Sequence, residues 1–199
     1  HEKAVVFIEY APLETAWVPI LGDNYLYLYC LWVSGSYKGK GYGKELLQSC
    51  IDDAKAQGKS GICLLSSKKK KPFLSEKKFM LKYGFKVVDT INDEYELLAL
   101  SFDGTQPQFT SNVRKQSIEG KELTIYYGVQ CPYIPNCIEQ IYNYCENNQI
   151  PLRLVEIDTL EKAKQLPCIF NNWAVFYNGK FETVHLLNEG LLKKLLQLK

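Results

Sequence analysis

Trp32-Val33-Ser34-Gly35-Ser36-Tyr37-Lys38-Gly39-Lys40-Gly41-Tyr42-Gly43-Lys44-Glu45-Leu46-Leu47 decides how the rest of the chain is read. A strand-like run, Tyr25 to Val33, enters this stretch, and a helical apolar pattern leaves it. Between them lie glycines at 35, 39, 41 and 43. Glycines let backbone N–H groups converge where a side chain would obstruct them. The helix N-terminus that follows adds about half a positive charge, so an anionic phosphate suits the turn. A pyrophosphate is the expected ligand. The two common nucleotide loops are excluded by spacing: no Gly-Lys-Ser/Thr follows at the Walker distance, and Gly39-Lys40-Gly41-Tyr42-Gly43 alternates where Gly-x-Gly-x-x-Gly would be required.

Outward from this turn, the chain of 199 residues is 46% apolar and 23% charged, ordinary globular material for one large or two small domains. A net charge of +2 gives no basis for a nucleic-acid partner or a membrane surface. Neither a membrane-length apolar run nor a signal-peptide order is read, and a cytoplasmic location is expected. Seven cysteines without Cys-x-x-Cys spacing read as reduced thiols, and with only His1 and His185 as imidazoles no metal site is expected.

In order, Ala4 to Tyr10 reads as a strand ended by Pro12, and Thr15 to Leu21 as a second, turning at Gly22-Asp23-Asn24 into the third, Tyr25 to Val33. A three-stranded meander is expected, with Tyr25, Tyr27, Tyr29 and Leu31 on one face of the third strand. Glu45 to Ala56 reads as a helix stopped by Gly58, and Gly61 to Ser66 as a buried parallel strand after that crossover. Lys68 to Lys71 and Pro72 form a basic turn, either solvated or lending a lysine to a phosphate. A helix over Leu74 to Tyr83 and strands from Phe85 and Tyr95 complete the first part. Residues 103–120, with Gly104, Pro107, Ser111, Asn112 and Ser117, read as an exposed linker. From 121 to 199 a second βαβαββα pattern runs through Leu123–Tyr127, 135–147, Leu152–Ile157, 160–165, a hairpin across Asn178-Gly179, and a closing helix over 190–198.

Residues 1–102 resemble the GNAT N-acetyltransferases. The match rests on Lys38-x-x-Gly41-x-Gly43, the family's acyl-CoA loop with Lys in first position, and on the order of elements around it. Cys30-Leu31-Trp32-Val33 and Lys71-Pro72-Phe73 further resemble the YoaP-type subgroup, whose C-terminal domain is thioredoxin-like. The expected fold class is therefore α/β (α+β), a GNAT-like mixed sheet followed by a thioredoxin-like domain. The resemblance implies acetyl-CoA as co-substrate. It assigns the pantetheine arm to Leu31, Trp32 and Val33, and the pyrophosphate to Lys38, Gly39, Lys40, Gly41, Tyr42, Gly43 and Lys44. It implies direct attack of an amine on the thioester, with a small-molecule or peptide acceptor, and it leaves a homodimer open. It also implies that the family's first strand and two helices, which wall the acceptor site, lie outside this chain.

For the base that takes the amine's proton, Glu9, Glu14 and Tyr29 are the groups near the implied acceptor side, with Glu9 and Tyr29 the candidates. In Phe79-Met80-Leu81-Lys82-Tyr83-Gly84-Phe85, Met80 stands where the family carries its tyrosine acid, and Tyr83 lies about a helical turn on. In the second domain, Cys131-Pro132-Tyr133-Ile134 resembles the glutaredoxin Cys-Pro-Tyr-Cys, with Ile134 replacing the second cysteine and Cys137 six residues from the first. Three readings follow: an acetyl-CoA-dependent N-acetyltransferase with an accessory domain for substrate choice or assembly, a thiol redox protein using Cys131 with or without Cys137, and a non-catalytic CoA-binding or interaction module.

Overall fold

The computed structural model describes residues 5–197. The strand expected from Ala4 thus has its first residue outside them, as has Leu198 of the closing helix. The chain forms two compact units: the first takes residues up to Ala16 and Ile20–Phe109, the second Trp17–Pro19 and everything from Thr110.

The first unit holds β1 (Val6–Pro12), β2 (Ile20–Leu21), β3 (Tyr25–Val33), α1 (Tyr42–Ala56), β4 (Gly61–Ser67), α2 (Lys77–Leu81), β5 (Lys86–Ile91), β6 (Tyr95–Ser101) and β7 (Gln108–Phe109). Its main sheet has the order β1-β3-β4-β6-β5. Only β3 and β4 run parallel, because the α1 crossover joins them. Leu26 and Leu28 of β3, Ile62 and Leu64 of β4 and Leu98 of β6 meet Leu47, Cys50, Ile51 and Ala54 of α1 in one core. The spacing of those α1 residues is the one-face pattern of a buried helix stripe. Gly61 is glycine from necessity, since a Cβ there would run into the Leu100 carbonyl oxygen and stand 2.6 Å from Tyr25 Cε1.

Three expectations are corrected. The meander does not form: β1 pairs directly with β3, while Thr15 to Pro19 turns and only Ile20–Leu21 is extended, against β7. Pro19 has no N–H for a ladder, and the Leu13 N–H already donates to Tyr25 O at 2.8 Å. The face assignment in β3 also fails beyond Leu28. The β1–β3 register passes from Glu9↔Cys30 to Tyr10↔Leu28, so Tyr29 is a one-residue bulge. A bulge inverts the alternation, which puts Leu31 with Leu26 and Leu28 against the α1 core. Finally, residues 103–120 are not a bare connection. Phe109 and Val113 are buried, β7 pairs with β2, and a 3-10 turn covers Ser111–Lys115.

The second unit has β8 (Leu123–Tyr127), α3 (Ile134–Asn147), β9 (Leu152–Glu156), α4 (Leu160–Lys164), β10 (Trp173–Tyr177), β11 (Lys180–Thr183) and α5 (Glu189–Leu196), which is the expected βαβαββα order. The sheet order is β11-β10-β8-β9, with β8 and β9 parallel and the others antiparallel. Alternation along β10 sends Trp173 and Val175 to a core with α3 and α5, and Ala174 and Phe176 to a core with Ala163 of α4. Asn178 and Gly179, at φ +52° and +75°, turn the hairpin with both central residues left-handed, as the Asn-Gly pair demands.

Candidate functional site

Two features of the first unit converge on the quoted turn. The first is a splay in the sheet. β3 and β4 pair only as Tyr25↔Gly61, Leu26↔Ile62 and Tyr27↔Cys63. Beyond those positions β3 continues to Val33 and β4 to Ser67 with no ladder between them. Leu31, Trp32 and Val33 pair with β1 on one side only, so their other edge is available to an extended ligand. Trp32 is 46% exposed, enough ring to cover such a ligand.

The second feature is the helix start. After a 3-10 turn at Gly35–Tyr37, the chain reaches Gly39 at φ +76° and Gly41 at φ +92°, left-handed conformations that favour glycine. α1 begins at Tyr42, three residues earlier than the apolar pattern indicated, so Tyr42, Gly43 and Lys44 form its first turn. Its N-cap is Gly41, which offers no side-chain acceptor. Among the described residues, none accepts from the N–H groups of Gly39, Lys40, Gly41, Tyr42 or Gly43, whereas Lys44 and Glu45 N–H donate to Gly41 O. A Cβ on Gly43 would meet only Phe79 Cζ at 3.6 Å and Leu31 Cδ2 at 3.7 Å, ordinary contact. Neither backbone conformation nor packing within the unit requires glycine at 43. Lys38, Lys40 and Lys44 are exposed beside the turn, and Glu45 is the carboxylate nearest to it, its Oε1 3.9 Å from where a Gly41 Cβ would stand.

The remaining candidates are distributed as follows. Glu9 faces Cys30 across the β1–β3 ladder, next to the Tyr29 bulge, on the side of β3 away from β4. The Tyr29 ring meets Tyr27 edge-on at 4.8 Å, and complete burial holds the Tyr27 hydroxyl protonated well above its ordinary range. Glu14 is engaged elsewhere: its Oε1 accepts the Asn24 N–H at 2.6 Å and closes the 22–24 turn. Met80 is buried in the α1 core. Tyr83 packs on Phe79 with ring centres 5.0 Å apart, at the rim of the same core. The helix expected over 74–83 is only Lys77–Leu81.

The basic turn is largely neutralised: Lys68 pairs with Asp93, Lys70 with Glu76 at 3.0 Å, and Lys71 with Glu94 at 2.6 Å. Burial pulls the Lys71 ammonium down, but Glu94 and Tyr95 together outweigh this and raise it overall. Sequence reading missed Glu96, a carboxylate in the middle of the apolar run Tyr95-Glu96-Leu97, which was itself a signal. It is buried and takes Lys77 Nζ at 2.6 Å.

In the second unit all cysteines are free. Cys137 donates its thiol hydrogen to Leu187 O at 3.0 Å, and burial pushes that thiol up to about 11. Cys131 lies in the turn before α3, packed against the same core as Cys137, and its charge adds to the upward push on the Cys137 thiol.

Residues 2–85 match the acetyltransferase (GNAT) family model, and residues 151–194 the YoaP-like model. The uncharacterized N-acetyltransferase YoaP of Bacillus subtilis (strain 168) is 40% identical over 198 residues, 98% of this chain and 79% of that protein. This chain belongs to the GNAT family of N-acetyltransferases. It is an acyltransferase of the YoaP-like branch. Among solved structures, a GNAT-family protein from Desulfovibrio desulfuricans is 18% identical over 47% of this GNAT chain and 58% of its own, with a TM-score of 0.39. A streptothricin acetyltransferase homologue from Bacillus anthracis, solved with acetyl coenzyme A, is 25% identical over 40% of this chain and 50% of its own, at a TM-score of 0.35. The chain thus spans half to three-fifths of those solved proteins. No helix among the described residues is long and apolar enough to cross a membrane.

Proposed function

We propose that the protein moves an acetyl group from acetyl-CoA to the amine of a small molecule or peptide. The carrying observation is the run of uncommitted N–H groups from Gly39 to Gly43 at the end of a strand that has parted from its parallel neighbour. The pyrophosphate lies on that run, with Lys38, Lys40 and Lys44 adding charge. The pantetheine arm takes the open edge of Leu31, Trp32 and Val33, and the thioester reaches the splay near the Tyr29 bulge. There the amine nitrogen attacks the thioester carbon, a C–N bond forms and the C–S bond breaks. Holding both reactants at this junction supplies most of the acceleration. Glu9 and Tyr29, which flank the bulge in the β1–β3 ladder, are the candidates to receive the amine's proton.

The test is calorimetric. Wild-type protein is expected to bind CoA, and Gly41→Val to lose that binding while its circular dichroism stays native, because φ +92° at the N-cap is strained for valine. Unchanged affinity would rule the turn out. Acetyl transfer to a panel of amines then distinguishes a transferase from a protein that only holds CoA.

A further inference from the structure

A polar cluster lies at the outer ends of β4 and β6, where the rest of that sheet face is apolar. Glu96 is 6% exposed, and its Oε1 accepts Lys77 Nζ at 2.6 Å, while its buried Oε2 meets no partner among the described residues. With the Lys77 side chain 25% exposed, the pair is only partly withdrawn from water and adds little net stability, while an unbonded buried carboxylate oxygen costs some. Ser66, directly across the ladder from Glu96, is also buried, and its hydroxyl donates to Ser75 O at 2.8 Å. Ser66 lies three residues past Cys63, the last β4 position paired with β3, and so stands in the splayed part of the sheet. α2 flanks the same opening. Phe79 of that helix lies against the first turn of α1 at Gly43, and Met80, one turn from Lys77, is packed into the core.

We propose that Lys77, held by Glu96, is the hydrogen-bond donor that meets the sulfur of the acyl donor. This rests on reading the first unit as a CoA site. When the C–S bond breaks, sulfur departs with the bonding electron pair as a thiolate, which afterwards takes a proton from solvent. The amine's proton leaves for solvent by way of the base. An ammonium has three N–H donors, of which Glu96 occupies one, and a fixed cation stabilises charge as it develops on sulfur. Met80 has no proton to give, so the charge is met one helical turn earlier. Other charges of this region are committed nearby: Glu76 pairs with Lys70, and Glu94 with Lys71.

CoA itself is the probe. Calorimetry first establishes binding to the full chain, and the ultraviolet absorbance of the thiolate then gives the titration of bound CoA. Lys77→Met alone would strand a buried carboxylate, so the test uses the double variant Lys77→Met/Glu96→Met, in which both charges are replaced by apolar groups of similar size. In the wild type the bound thiol is expected to titrate about one pH unit or more below free CoA, a tenfold gain in thiolate stability. The double variant should return most of the way to the free value, and Lys77→Arg should keep the shift. The α1 N-terminus acts equally in all three proteins, so the difference isolates Lys77. Identical titrations in wild type and double variant would overturn the assignment and leave the CoA site standing. No binding heat in the wild type would overturn the CoA site itself, and this assignment with it.

Discussion

Glycine spacing is informative at single residues only when conformation and approach are separated. Gly39 and Gly41 are left-handed and need glycine for the backbone, whereas Gly43 is a helical residue whose Cβ would make only ordinary contacts with Phe79 and Leu31. The two cysteines of interest divide in a similar way. Cys137 is buried with its thiol on a carbonyl, and its pKa lies near 11 against an ordinary 9.0. The folded state thus keeps its proton where the unfolded chain has lost it, so the associated stability is complete below about pH 9 and falls as pH rises towards 11. Tyr10 strengthens this trend: burial and its bond to Asp53 push its hydroxyl from 10.0 to about 12. Urea midpoints should therefore fall steadily above pH 9. Cys137→Ala should soften that fall, and an identical slope in the variant would remove Cys137 from the explanation.

At the level of elements, the splay depends on how tightly β3 and β4 are clamped before they part. The clamp is Gly61, pressed between the Leu100 carbonyl of β6 and the Tyr25 ring of β3. Gly61→Ala overpacks this junction and is expected to cost about 1–3 kcal/mol, read as a lowered urea midpoint at constant m-value. Because the added methyl pushes β3 from β4, CoA affinity should drop in the same variant. Stability loss without any change in affinity would separate the clamp from the site. The bulge at Tyr29 is the second device in this region, and it aims Leu31 at the helix while leaving Trp32 to solvent.

For the molecule as a whole, two cores with separate helices imply two units that respond differently to a ligand of one of them. CoA at a hundred times its Kd should stabilise the first unit by about 2.7 kcal/mol. Hydrogen exchange is expected to slow in β3 and α1 and to stay unchanged in β8 and α3. Equal slowing in both would show that the ligand reports on one cooperative block. The second unit's contribution to acetyl transfer is testable by the amine panel used for the whole chain.

The sequence by itself determined the strand, glycine turn and helix of the first unit, the parallel crossover into β4 and the whole element order of the second. These follow from local rules: apolar period, turn residues and the conformations only glycine tolerates. It also placed Lys38 to Lys44 at a helix start, because N-terminal N–H groups are free in any helix. Only the tertiary structure decided the rest. β1 pairs with β3 because Pro19 breaks the intervening run, the bulge at Tyr29 reverses the faces beyond it, and the lysines of 68–71 are mostly spent on carboxylates of the β5–β6 turn and the segment before α2. The Lys77–Glu96 pair joins residues 19 apart through a helix packed on a sheet, and no periodicity along the chain encodes such a meeting.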